Sequence, residues 1–204
     1  MKLTRTQINC LGEVVNSGIT EGFYLAGGTA ITIKYEHRFS EDFDFFTFPD
    51  KEVDSLTIVN KINLLKNISV KQLSNNTISF YLSGIKFSFF EYRYILLEKP
   101  LLDEDLGIYL SSDKDIASMK IVAIAQRGLK KDFYVLYYLM NINKWSLNDI
   151  RKFVLEKYKI FDFDNIALKS LVYFEDAEKS SYPDIDPLWQ KVKDFFTCNV
   201  KKEF

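Results

Sequence analysis

The sequence predicts an α+β protein, with a mixed α and β first half followed by a helical second half. Three observations carry this. Phe23 to Ala26 is an apolar run that passes directly into Gly27 and Gly28 and then into a helical pattern. Between Val70 and Tyr94, three runs of strand character are separated by turn residues. From Ser112 onward nearly every apolar residue falls at helical spacing.

Element by element, Ile8, Leu11, Val14 and Val15 recur at helical spacing behind Thr4 or Thr6 as caps, and Gly18 ends this first helix. Phe23 to Ala26 reads as a buried strand and Thr29 to Tyr35 as a helix, giving a strand, glycine turn, helix unit. Asp42 to Phe48 alternates acidic and aromatic residues before Pro49, the pattern of a strand with two different faces. Asp54 to Leu65 has helix periodicity with Asp54 or Ser55 as its cap. Val70 to Leu73, Thr77 to Leu82 and Ile85 to Tyr94 read as strands, the last two joined by the tight turn Ser83-Gly84. Pro100 and the acidic stretch Asp103 to Asp105 break the strand pattern, which places a domain boundary near residue 110. Residues 1–110 are then the mixed core and 111–204 a helical domain. Its expected helices are Asp115 to Gln126, Lys131 to Asn141, Leu147 to Tyr158, Ile166 to Ala177 and Pro187 to Phe196.

Composition narrows the function classes. A chain of 204 residues with 47% hydrophobic content can bury a sizeable core. Its 27 basic and 28 acidic residues nearly cancel, so any polynucleotide contact must be local rather than drawn by a global basic field. Cys10 and Cys198 stand far apart with no Cys or His spacing around them, which argues against a zinc site or a disulfide framework and reads as two reduced thiols. Met1 to Cys10, with Lys2 and Arg5, lacks the apolar segment of a signal peptide, and no uncharged run is long enough to span a bilayer. The expectation is a cytoplasmic protein that does not meet a membrane.

Two features could carry chemistry in the first half. Gly27-Gly28-Thr29 lies where a strand meets a helix, so free backbone N–H groups and the positive end of the helix dipole can face an anion such as a triphosphate. Asp42 and Asp44 are two apart, so in a strand both side chains leave one face with roughly 6.5 Å between their Cα atoms. Two carboxylates that close repel unless a cation joins them, and magnesium takes one or two carboxylates while sharing its shell with phosphate and water. Solvated edge aspartates over inward-packed Phe43, Phe45 and Phe46 would give the same pattern, so the pair alone does not decide. A second such pair, Asp162-Phe163-Asp164, lacks a glycine turn and is read as structural, with Asp164 capping a helix that begins near Asn165.

In the helical half, Asp113, Lys120 and Arg127 are seven apart and fall along one stripe of a helix whose packing side is Ala117, Ile121, Ile124 and Ala125. Lys120 is the one charge between Met119 and Ala125, so it either snorkels to water or meets an anion. Gly128 would end that helix and let Lys130, Lys131 and Asp132 turn back toward the stripe. Arg127, Lys130 and Lys131 form the densest basic cluster, a candidate contact for triphosphate or RNA that a plain surface charge run would also explain. His37, the single histidine, is read as a scaffold residue.

The run FYLAGGTAITIKYEHRFSEDFDFF resembles the opening of the AbiEii/AbiGii toxin type nucleotidyltransferases, and DKDIASMKIVAIAQRGLKKDFYVLYYL resembles their second signature. A weaker likeness continues through LVYFEDAEKSSYPDIDPLWQKVKDFF. The resemblance implies a polymerase β-like nucleotidyltransferase core, a mixed sheet with flanking helices, followed by a helical C-terminal region. It implies magnesium-dependent transfer of a nucleoside monophosphate from an NTP to an acceptor, tRNA or protein, by the toxin of a toxin-antitoxin or phage-defence system partnered by a winged-helix antitoxin. By motif position, Gly27, Gly28 and Thr29 correspond to the phosphate-binding turn and Ser40 to its companion. Asp42 and Asp44 correspond to the Mg2+ ligands, Lys120 to the nucleotide-contacting lysine and Asp132 to its acidic partner, with Arg127 alongside for the nucleotide. Two departures stand out. Ser88 occupies the place where the wider superfamily often carries a third carboxylate, with Glu91 nearby but of opposite strand parity. Val135 stands where the family often has a second Asp after Lys-Asp-Phe. The serine motivates an alternative reading as a catalytically inactive module that binds nucleotide or antitoxin.

Overall fold

The computed structural model describes residues 3–74, 76–159 and 161–203, so Met1 and Lys2 of the N-terminal stretch lie outside it. The chain forms two compact units, Met1–Ile95 with Lys99–Ser111 and Leu96–Glu98 with Ser112–Phe204. The first is mixed α and β and the second helical.

In the first unit, helix α1 (Arg5–Asn16) opens on a reciprocal cap in which Thr4 accepts the Gln7 amide and the Gln7 side chain accepts the Thr4 amide. Its Cys10, Leu11 and Val14 are buried, and Cys10 Sγ lies 3.5 Å from the Leu82 carbonyl oxygen. Strand β1 (Phe23–Ala26) passes straight into α2 (Gly27–Tyr35), so the helix begins two residues earlier than expected. Strand β2 (Phe43–Thr47) follows, then α3 (Ser55–Ile62), whose cap is Asp54. Strands β3 (Ile68–Ser74), β4 (Thr77–Leu82) and β5 (Ile85–Phe90) are antiparallel neighbours. Ser83 and Gly84 both have positive φ, 49° and 83°, as a primed hairpin turn demands.

The stretch read as breaking the strand pattern instead folds as a hairpin of β6 (Leu101–Asp103) and β7 (Ile108–Leu110). Each strand is only three residues long, and what stabilises β7 is parallel pairing to β1, a partner some 80 residues away that local pattern does not reveal. Among the described residues the strands form one sheet in the order β3-β4-β5-β2-β1-β7-β6. Phe43, Phe45, Phe80, Phe87 and Phe89 fill one face and are fully buried. Phe43 stacks on Phe87 at 4.9 Å and Phe45 on Phe89 at 5.1 Å between ring centroids. Each such ring contributes roughly 2–3 kcal/mol of burial plus an aromatic pair term.

In the second unit α4 (Asp113–Arg127), α5 (Lys130–Asn143) and α6 (Leu147–Tyr158) appear where their periodicity predicts. Phe133 lies at the centre of an aromatic cluster, with Phe174, Trp189 and Phe196 rings at 5.3, 5.8 and 5.8 Å. The expected helix from Ile166 to Ala177 is not continuous. A wide turn at Phe163–Ala167 leads into the single turns α7 (Leu168–Ser170) and α8 (Glu175–Glu178). The Ser170 hydroxyl returns to the Ile166 carbonyl at 2.8 Å, and Val172, Tyr173 and Phe174 are poor helix formers. The break turns Phe174 onto Phe133 and Trp189. The cap of this segment is Asp162, which accepts the Asn165 amide at 3.0 Å, whereas Asp164 pairs with Arg151 at 2.7 Å. A tight turn at Asp186–Leu188 leads into α9 (Trp189–Lys201), so the last helix starts two residues after Pro187. Both cysteines are free, and no helix among the described residues is long and apolar enough to cross a membrane.

A buried charge pair organises the second unit. Asp115 accepts the amides of Leu97 and Glu98, the Ser112 hydroxyl and, at 2.6 Å, the Lys157 ammonium, with both charged side chains fully buried. Burial pushes the Lys157 ammonium below its usual range, against the pull of Asp115. Lys157→Met strands the Asp115 carboxylate and should cost about 3–5 kcal/mol in urea unfolding, with the double variant Asp115→Leu/Lys157→Met less destabilised than the single one. A single-variant loss below about 1 kcal/mol would show that the pair is not what holds α4 to α6.

Candidate active site

The junction of β1 and α2 has Ala26 at the helix N-cap, which offers no side-chain acceptor, so the first-turn amides remain available to an anion. Gly27 has φ +71°, and a Cβ there would stand 3.9 Å from Asp44 Oδ2. At Gly28 a Cβ would fall 2.1 Å from Arg38 Nη2, so the buried Arg38 guanidinium rests directly on this glycine. Sequence reasoning gave Arg38 no role; its signal was a charged residue inside the first signature run, two before Ser40.

The loop from α2 to β2 is clasped to the turn by hydroxyls. Thr29 Oγ1 lies 2.7 Å from Ser40 Oγ and donates to the Asp42 carbonyl. Thr32 Oγ1 donates to the Arg38 carbonyl at 3.0 Å, and Gln7 Nε2 donates to the Ser40 carbonyl at 2.6 Å. Thr29 and Ser40 are buried and bonded to each other, so the work they visibly do is to fix Asp42 beside the glycine turn.

Asp42 is half-buried just ahead of β2, and its carboxylate makes no hydrogen bond or ion pair among the described residues. Asp44, also half-buried, lies in β2 opposite Ala26 of β1 and Ser88 of β5. The row Ala26, Asp44, Ser88, Ser79 therefore crosses the sheet on the face opposite the phenylalanines. Ser88 is 1% exposed and its hydroxyl has no hydrogen-bond partner among the described residues. Glu91 lies beyond β5, where it pairs with Arg93 at 2.7 Å and faces the Val53 amide. No group of three or more His, Cys, Asp or Glu gathers as an all-protein metal cage among the described residues. Two carboxylates, one of them unpartnered, suit a hard cation that completes its shell with water and phosphate.

In the second unit the stripe on α4 meets α5. Lys120 Nζ donates to Asp132 Oδ1 at 2.6 Å, Arg127 Nε to Oδ2 at 2.9 Å and Arg127 Nη2 to Oδ1 at 3.1 Å. Gly128, at φ +54°, ends α4 and lets α5 return, as expected from the sequence. Asp132 is fully buried, which alone would raise its carboxyl, but Lys120 and then Arg127 outweigh burial and hold it at about 2. One carboxylate is thus held by two cations. Lys130 does not join it: its ammonium pairs with Asp186 at 2.8 Å and lies 5.3 Å over the Trp189 ring, which removes it from the basic cluster read in the sequence.

The chain is similar to several known proteins. An uncharacterized protein of Aquifex aeolicus (strain VF5), aq_aa25, is 54% identical over 201 residues, covering 98% of this chain and 97% of that one. A crystal structure of ANT(2")-Ia in complex with adenylyl-2"-tobramycin superposes with a TM-score of 0.54 at 10% identity, covering 73% of this chain and 95% of that one. A solution structure of ANT(2'')-Ia gives 0.55 at 10% identity, covering 74% and 91%. These two share the fold, a mixed α and β core followed by helices. Residues 10–95, which contain the glycine turn, both aspartates and strands β1 to β5, match the family described as "Nucleotidyl transferase AbiEii toxin, Type IV TA system".

Proposed function

We propose that the protein is a magnesium-dependent nucleotidyltransferase toxin that moves a nucleoside monophosphate from an NTP to a hydroxyl of an RNA or protein acceptor. The observation that carries this is the unpartnered Asp42 carboxylate beside Asp44, at the end of the sheet where the Gly27-Gly28 turn opens onto the α2 N-terminus. Asp42 and Asp44 hold Mg2+, which when bound neutralises charge on the triphosphate. The amides of the glycine turn take phosphate oxygens, and Thr29 and Ser40 keep the turn and Asp42 in place. The acceptor oxygen attacks the α-phosphorus in line, its proton passes to solvent, and the bond from the α-phosphorus to the bridging oxygen breaks with its electron pair leaving on pyrophosphate. The family resemblance gives Lys120, held in its rotamer by Asp132 and flanked by Arg127, a role on the phosphates. The two cysteines without a disulfide framework support a cytoplasmic reaction, and the family resemblance supports a winged-helix antitoxin as partner.

The test is incubation with α-labelled NTPs and either total tRNA or cell extract. Label should enter a macromolecule, and Asp42→Asn or Asp44→Asn should cut transfer at least ~100-fold while leaving the melting temperature near wild type. Tight nucleotide binding with no transfer under any of these conditions would instead favour the inactive module, for which Ser88 opposite Asp44 is the motivating feature. Equal single-turnover transfer by the Asp42→Asn/Asp44→Asn double variant and wild type would sink the metal assignment.

Lys120 and Asp132 should behave as one unit. Lys120→Ala and Asp132→Ala are each expected to cut transfer ~100-fold, and the double variant to lose little more than the worse single one, while fully additive losses would mean independent roles. Linkage gives a second readout. The Asp132 carboxyl sits at about 2 in the fold, below its ordinary 3.8, so the stability it contributes is present above about pH 4 and is lost as pH falls toward 2. On the order of 2 kcal/mol should disappear over that window in urea unfolding and be missing from Asp132→Asn. An unchanged acid limb in Asp132→Asn would contradict the pairing.

A further inference from the structure

Lys86 lies on β5, two residues before Ser88, and therefore on the same face of the sheet as Asp44. β2 and β5 are parallel, with Phe43 opposite Phe87 and Asp44 opposite Ser88. One step back along both chains brings Asp42 and Lys86 to the same end of the sheet, the end at which β1 turns into Gly27. Lys86 is half-buried and makes no hydrogen bond or ion pair among the described residues. Its cross-strand neighbour on β4 is Tyr81, whose ring can flank the lysine stem without neutralising its charge.

An unpaired, half-buried lysine next to two carboxylates needs a reason. The side chain is partly covered yet holds no anion, although Asp42 lies at the same end of the sheet. We infer that Lys86 is a phosphate-contacting residue of this site, reserved for the triphosphate of a metal-bound nucleotide. β2 and the residue just before it supply the two negative charges that take the cation, and β5 supplies one positive charge for the anion that the cation brings. Ser88 fits the same division. A carboxylate there would sit two residues from Lys86 on one face and neutralise it, whereas a serine adds no charge and leaves the lysine net positive toward a ligand. A lysine side chain is long enough to reach across the ~4.8 Å between neighbouring strands to a phosphate above them. The inference rests on the nucleotidyltransferase reading and adds the residue that meets the phosphates from the β5 side.

The role predicts two changes of opposite sign, which a lysine that merely faces solvent would not give. Binding of Mg2+·tripolyphosphate and of the four Mg2+·α,β-methylene NTPs, by calorimetry, should weaken about 10-fold in Lys86→Met, while Lys86→Arg should stay within about 3-fold of wild type. Binding of Mn2+ alone, followed by its paramagnetic resonance signal, should tighten about 2-fold or more in Lys86→Met, because a cation beside Asp42 has been removed. Far-UV circular dichroism and the melting temperature should not move in either variant, since a half-buried side chain without polar partners is being replaced. Unchanged tripolyphosphate and Mn2+ binding in Lys86→Met overturns the inference, as does a loss confined to the NTPs with tripolyphosphate unaffected. Wild-type protein that binds none of the four NTP analogues overturns the enzymatic reading itself, and with it this role for Lys86.

Discussion

The alternation of β2 is the constraint on which the first unit's site depends. Phe43 and Phe45 are locked into stacked pairs with Phe87 and Phe89 on the buried face. Because side chains alternate along a strand, that packing leaves Asp44 on the opposite face, in line with Ser88. A slip of one residue would bury a carboxylate among phenylalanines and expose the rings, so the hydrophobic register and the position of the acid are one fact. The loop that brings Asp42 alongside is fixed with equal economy, by hydroxyl and amide contacts from Thr29, Thr32 and Gln7 to the carbonyls of residues 38, 40, 41 and 42. A glycine turn over which Asp44 and Arg38 both lean completes a corner that carries acid, base and free amides within a few residues of each other.

The second unit contains two buried carboxylates that do different work. Asp115 meets one lysine, a serine hydroxyl and two amides, a closed neutral arrangement that pins the Leu96–Glu98 strand of chain and α6 to the start of α4. Asp132 is held by Lys120 and Arg127 together, with the Arg127 side chain about half exposed. The first arrangement leaves no charge to offer a ligand. The second gathers two cations on one carboxylate and fixes the lysine in place.

Much of this was legible in residue order, and the exceptions have physical causes. The Phe-Asp-Phe alternation, the glycine turn and the Lys120 to Asp132 return through Gly128 are local patterns whose periodicity survives folding. Strands β6 and β7 escaped because each has three residues and is ordered by a partner far along the chain. The continuous helix expected over residues 166–177 gave way because tertiary contacts of Phe174 outweighed a periodic pattern of modest propensity. Lys130 looked like part of a basic cluster because its partner, Asp186, is 56 residues away. Arg38 and Lys86 carry no sequence signal for a related reason: a single basic residue in a loop or strand reads as solvated, and only the contact with Gly28 and the register with β2 place them at this corner.

The central claim is that Asp42 and Asp44 hold a divalent cation against a triphosphate seated on the Gly27-Gly28 turn. A crystal structure with Mn2+ and an α,β-methylene NTP, with the metal located by its anomalous signal, tests it most directly. The account predicts Mn2+ bonded to oxygens of both Asp42 and Asp44 at about 2.0–2.3 Å, with phosphate oxygens on the α2 amides. Nucleotide and metal bound elsewhere in the molecule, with the two carboxylates left to solvent, would contradict it.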